Sequence, residues 1–194
     1  MNTQNLIYAL TYMDKSDWPE GSWKLEPDKM LWVDEKTGFE CLIRRIKDMS
    51  HLCGYVGITK EHPLFQTSII EFRSNSSLED YFSIHGNITM SCGGKAFTEE
   101  PGPHNKIGRA SIENRPSPDE IWWIGIDFIH NQDLIPLTSN DPNDNNGDRI
   151  YRDIGYVTKE VTKLASLLLQ FQTEYNEGSI QYKKSTQPPF EWDS

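Results

Sequence analysis

The sequence predicts an α+β fold, an antiparallel β-sheet meander packed against one long C-terminal amphipathic helix, with long loops over the other face of the sheet. Three observations carry this. Residues 120–133, EIWWIGIDFIHNQD, alternate with period 2, which puts Trp122, Ile124, Ile126 and Phe128 on one face and Ile121, Trp123, Gly125 and Asp127 on the other. Residues 30–58 hold three strand-like runs joined by short polar links. From 154 to 175 apolar side chains recur in steps of three and four.

Residues 1–28 read as an irregular lead-in, with Leu6, Ile7, Tyr8 and Leu10 as a short helix or edge strand and with Trp18 and Trp23 lying across the core as a lid. Over 30–46, MLWV and FECLIRRI flank the turn DEKTG, and Phe39, Cys41 and Ile43 share a face opposite Glu40, Leu42, Arg44 and Ile46. LCGYVGI at 52–58 is a third strand, where Gly54 and Gly57 require a bulge or close backbone packing. Residues 59–80 are a connection with a short apolar piece at 68–72; His62, held extended before Pro63, points either inward or to solvent.

FSIHGNITMS at 82–91 is expected to be another strand, with Ile84, Ile88 and Met90 on its apolar side and His85, Asn87, Thr89 and Ser91 on its polar side. The Gly/Pro-rich run 92–119 is long enough to be a lid or flap, and 131–150 is a second long polar loop. Its DPNDNNGD run does not fit a helix-loop-helix calcium loop, because Arg152 falls where a bidentate Glu belongs.

The closing helix presents Ile154, Val157, Val161, Leu164, Leu168, Phe171 and Tyr175 as a stripe, widened by Ala165, Leu167 and Leu169; Asp153 caps its start and Gly178 ends it. This stripe is expected to pack on the sheet, with a coiled-coil homo-oligomer as the competing use. Residues 1–178 form one globular domain in this reading and 179–194 a C-terminal tail, with Phe190 and Trp192 placed to fold back.

A formal charge of −10 excludes a general nucleic-acid binder, since the densest basic group, Arg44, Arg45 and Lys47, reads as a solvated edge. Three cysteines, Cys41, Cys53 and Cys92, are an odd number without CxxC spacing, which fits a reducing cytoplasm rather than a disulfide framework. The N-terminus carries no basic-then-apolar leader and no run reaches membrane-spanning length, so the expectation is a cytoplasmic protein with no membrane partner.

Chemistry concentrates where the central strand ends. Asp127, His130 and Asp133 are spaced by three and three, and with His85 they supply the nitrogen and oxygen donors of a divalent transition-metal site, whose bound water would be a nucleophile; as catalytic residues the set is His85, Asp127 and His130. A metal-free histidine base beside a carboxylate is the simpler variant. The other reading is a pocket for a nucleotide-like small molecule, lined by His62, His85, Asn87, Thr89, Trp123, Asp127 and His130, with Trp123, Trp18 or Tyr55 as stacking platforms. No nucleophile elbow, phosphate-binding glycine loop, HExxH or HxE…CxxC pattern is present.

CGYVGI, then HPLF, HGNIT, WWIGIDFIH with Asp133, and YRDIGYV before the helix together resemble a family of small phage-encoded proteins carrying CGYVG, HPL, HGGIT, WWxGFDCAHxGD and YRDxxYV in this order, over roughly residues 30–170. The resemblance picks out His62, His85, Thr89, Trp123, Asp127, His130 and Asp133. The chain departs from the pattern at Asn87, Ile126, Phe128 and Gln132, and Phe128 stands where the family has a cysteine. It implies a phage protein working in the host cytoplasm. The function expected first is then sequestration, without cleavage, of a nucleotide-derived immune signal in a polar and aromatic pocket; the alternatives are metal-dependent hydrolysis of such a signal and inhibition of a host enzyme through a protein interface.

Overall fold

The computed structural model describes residues 5–93, 116–117, 120–138 and 148–185. In chain order its main elements are β1 (Leu6–Leu10), β2 (Lys29–Val33), β3 (Glu40–Arg45), β4 (Leu52–Ile58), α1 (Ile69–Ser74), α2 (Ser76–Tyr81), β5 (Met90–Gly93), β6 (Trp122–Asp127) and α3 (Ile154–Asn176). The strands form one antiparallel sheet in the order β1-β2-β3-β4-β6-β5, and α3 packs across β3 and β4, so the expected α+β architecture is the one observed.

The period-2 pattern explains the sheet's two faces. Met30, Ile43, Gly54 and Ile126 lie in one row across four strands, and Trp32, Cys41, Val56 and Ile124 in the next; both rows face α3. On the helix, Val157, Val161, Leu164, Ala165, Leu168 and Phe171 are buried against them. Gly54 makes the close approach possible: a Cβ there would sit 2.3 Å from Cγ2 of Val161. Close packing, not a bulge, is therefore its role, and the β3–β4 register runs without a break. The opposite face carries a smaller apolar group, Leu31, Leu42, Tyr55, Ile121 and Trp123.

Two expectations change. Residues 82–89 are not a strand, because Gly86 and Asn87 both take positive φ, 63° and 65°, and an extended strand contains no such pair. The chain turns there, so Ile84 and Ile88 both reach the helix-side core, whereas Met90 packs on the other face. Arg45 is not part of a solvated edge. It has the parity of Cys41 and Ile43 and is buried in an ion network, donating to Glu26 Oε2 at 2.8 Å and lying 3.3 Å from Asp28 Oδ1, which also meets Lys15. Half-buried Trp18 stacks on this network, its ring centroid 5.9 Å from the Arg45 guanidinium. Residues 179–185 return to the body: Tyr182 hydroxyl donates to Glu71, and Lys184 Nζ to the Phe65 carbonyl.

Phe190, Trp192, His104, the DPNDNNGD run and most of the 92–119 connection lie outside the described residues. No helix among the described residues is long and apolar enough to cross a membrane.

Candidate functional site

The turn at Gly86 and Asn87 sends the His85 side chain toward the start of α3. Its backbone N–H donates to Glu160 Oε2 at 3.0 Å, and its ring stacks on Phe128, with centroids 4.9 Å apart and planes 16° from parallel. Beyond β6 the chain makes a tight turn in which the Asp133 N–H donates to the His130 carbonyl at 2.8 Å, while Asp133 Oδ2 accepts from the His130 N–H at 2.9 Å. Asp133 also bridges Ile150, and this parallel pairing brings Arg152, two residues on, beside its carboxylate. Asp153 then caps α3 by accepting from the Tyr156 N–H at 2.7 Å, and Tyr156 reaches back to His85.

These local choices converge on one carboxylate. Asp133 is only 1% exposed. Its Oδ2 lies 2.9 Å from His85 Nε2 and 3.2 Å from His130 Nδ1; its Oδ1 accepts from Arg152 Nε at 2.7 Å. Burial by itself would raise the Asp133 carboxyl pKa, but the hydrogen bonds from Arg152, His85 and the His130 amide outweigh it and hold the group below its ordinary value. An ionised Asp133 requires hydrogen on both facing ring nitrogens, so His85 Nδ1 is left to accept from the Tyr156 hydroxyl at 3.2 Å. The His130 side chain is 37% exposed and packs against Gly86, where a Cβ would lie 1.9 Å from its Cε1. Arg152 lies 4.8 Å from the Tyr156 ring centroid, a cation–π contact that fixes both side chains.

His85, His130 and Asp133 each offer one donor atom, all within 4.8 Å of one another; a metal held there would take the place of the hydrogens that the two rings turn toward Asp133, and His85 Nδ1 would then donate to the Tyr156 hydroxyl while Arg152 holds Asp133 Oδ1. Comparison with protein-family models, curated proteins and solved structures returns no match. The reading of the centre therefore stands on its geometry.

The remaining expected residues go elsewhere. Asp127 has the opposite strand parity to Phe128 and points away from α3, so it does not join His85 and His130 but lies with His51 and Cys53. His62 is buried in the core: its Nδ1 accepts from the Leu64 N–H at 3.1 Å, and its Nε2 then donates to the Leu168 carbonyl at 2.9 Å. Burial pushes its pKa down to about 4, the Leu168 bond opposing only in part. Trp123 and Tyr55 are buried in the second apolar face rather than open as platforms. Asn87 donates to Glu79 Oε1 at 3.2 Å, and Thr89 joins the sheet by donating its N–H to the Gly125 carbonyl.

Sequence reasoning missed Arg152 and Tyr156, although YRDIGYV displays both. Each polar residue in that motif has a partner: Tyr151 binds Glu26, Arg152 binds Asp133, Asp153 caps the helix, and Tyr156 meets His85.

Proposed function

We propose that the protein is a metal-dependent hydrolase of a nucleotide-derived signalling molecule, a counter-defence activity of the phage kind, with His85, His130 and Asp133 as the metal ligands. The observation that carries this reading is the convergence of two imidazoles on the buried Asp133 carboxylate, with Arg152 holding its far oxygen. Two nitrogens and one carboxylate oxygen form a donor set that zinc, manganese or iron accepts while keeping a position open for water. A metal bound there would polarise a phosphoester and activate the water that attacks phosphorus.

The overall charge of −10 disfavours a phosphorylated ligand at long range, but the site is different locally: a divalent ion and Arg152 against Asp133 leave a positive centre. The half-exposed His130 gives a route from solvent. Sequestration of an intact nucleotide has less support, because Trp123 and Tyr55 are buried. The phage setting rests on the motif resemblance, and the nucleotide class on the aromatic, Asn and Asp side chains in the sequence.

The test has two arms, run on the full chain. Elemental analysis after loading with zinc, manganese or iron should find bound metal, and Asp133→Asn should bind one equivalent less than wild type. Incubation with a panel of cyclic and linear nucleotides, followed by heat release and mass spectrometry, should yield fragments with wild type and intact compound with Asp133→Asn. Stoichiometric recovery of an intact nucleotide from wild type overturns hydrolysis in favour of sequestration, and neither cleavage nor retention overturns the nucleotide class.

A further inference from the structure

We propose that His51, Cys53 and Asp127 form a second metal site, of the nitrogen–sulfur–oxygen type that takes zinc, on the sheet face turned away from α3. Cys53 and Asp127 are register partners on β4 and β6, so their side chains leave the sheet side by side on one face. His51 precedes Cys53 by two residues and shares its parity. Each of the three offers one donor atom, and those atoms all lie within 4.8 Å of one another.

A second observation points the same way. His51 is only 6% exposed, and its Nδ1 is buried with no hydrogen-bond partner. Buried polar atoms in folded proteins nearly always have a partner, and an unpartnered imidazole nitrogen can ligate a metal in the tautomer that leaves it the lone pair. Thiolate, imidazole and carboxylate together match zinc better than the oxygen-seeking cations magnesium or calcium. Three protein donors leave a fourth position for water or an incoming group.

The surroundings favour the thiolate that zinc requires. Arg44 is the register partner of Cys53 on β3, so a permanent positive charge stands beside the sulfur. Without a metal, burial and the neighbouring Asp127 hold the Cys53 thiol protonated; a bound cation reverses that balance and deprotonates it. The site bridges the start of β4 and the end of β6. An ion there would tie β4 to β6, the strand that leads into His130 and Asp133.

Cobalt(II) titration of the full chain tests this and separates it from the proposed hydrolase centre, which contains no sulfur. Wild type should take up two equivalents and show a near-ultraviolet thiolate-to-cobalt charge-transfer band. Cys53→Ser should lose the band and one equivalent; His51→Asn should weaken binding at the same equivalent; the double variant His85→Ala, His130→Ala should keep the band and lose the other equivalent. Absence of the band in folded wild-type protein, or its persistence in Cys53→Ser, overturns the inference and leaves the hydrolase reading untouched. A band that appears with one equivalent only, unchanged by the His85→Ala, His130→Ala pair, sustains the inference and removes metal from the hydrolase centre.

Discussion

His85 and Asp133 are 48 residues apart in the chain, and His85 Nε2 lies 2.9 Å from Asp133 Oδ2. A turn at Gly86 on one side and the tight turn at 130–133 on the other bring them together, and Tyr156 on α3 holds the far nitrogen of His85 at 3.2 Å. Tyr156→Phe keeps the ring and deletes that contact. Metal affinity at the centre should fall about 10–100-fold, while stability changes by roughly 1 kcal/mol or less. Competition with a chromophoric chelator and urea unfolding of the same samples measure the two; unchanged affinity would show that the hydroxyl does not orient His85.

The contact between β4 and α3 predicts a coupled pair. Gly54→Ala places a methyl 2.3 Å from Cγ2 of Val161, a short branched side chain with little room to give, and should cost about 1–3 kcal/mol. Adding Val161→Ala frees the space, so the double variant should be more stable than the sum of the two single changes implies. A double-mutant cycle in denaturant reads this directly. Strict additivity would mean that helix and strand simply separate to admit the methyl.

Arg45 connects elements remote in sequence. Its Nη1 donates to the Ser50 carbonyl at 2.9 Å, its Nη2 meets Glu26, and Glu26 in turn accepts from the Ile154 N–H at 3.1 Å at the start of α3. Arg45→Met removes the cation and leaves Glu26 and Asp28 buried with less compensation, so it should cost about 3–5 kcal/mol. Thermal unfolding measures the loss. A change below about 0.5 kcal/mol, the range of ordinary surface substitutions, would restore the solvated-edge reading of this residue.

His62 should govern acid stability in a defined window. Its pKa is about 4 in the folded protein against 6.5 for a free imidazole, so as pH falls below 6.5 the unfolded chain binds the proton first. Its contribution is complete above pH 6.5 and is lost progressively toward pH 4, a loss of roughly 3 kcal/mol. His62→Gln, which can still donate to the Leu168 carbonyl, should flatten the stability–pH curve by about that amount over this interval. His51, whose burial shifts it the same way, keeps its share of the slope in both proteins. Parallel wild-type and variant curves in urea titrations from pH 7 to pH 4 would count against a neutral, buried His62.

Much of the fold is legible in the residue order because its signals are local. The alternation in 30–33, 39–46, 52–58 and 121–128 fixes which side chains share a face, and the three–four spacing after Asp153 specifies an amphipathic helix with its cap; both patterns reappear as the buried faces of the sheet and of α3. The 82–91 run misled for an equally local reason. Its alternation imitates a strand, yet Gly86-Asn87 is a turn pair, and the positive φ at both residues overrides the apolar pattern.

The candidate site was legible as a list of residues but not as an arrangement. His85, His130 and Asp133 stand out in the sequence as side chains able to bind metal or move protons, but chemistry carried by type does not specify neighbours. Strand parity sends Asp127 to the opposite face, the bridge at Ile150 aims Arg152 at Asp133, and the packing of α3 delivers Tyr156 to His85. Such partnerships span 19 to 71 residues, far beyond any periodicity readable along the chain. Local sequence determines strands, helix and caps because backbone geometry repeats over a few residues; which donors meet is decided only when the sheet and helix close over their shared core.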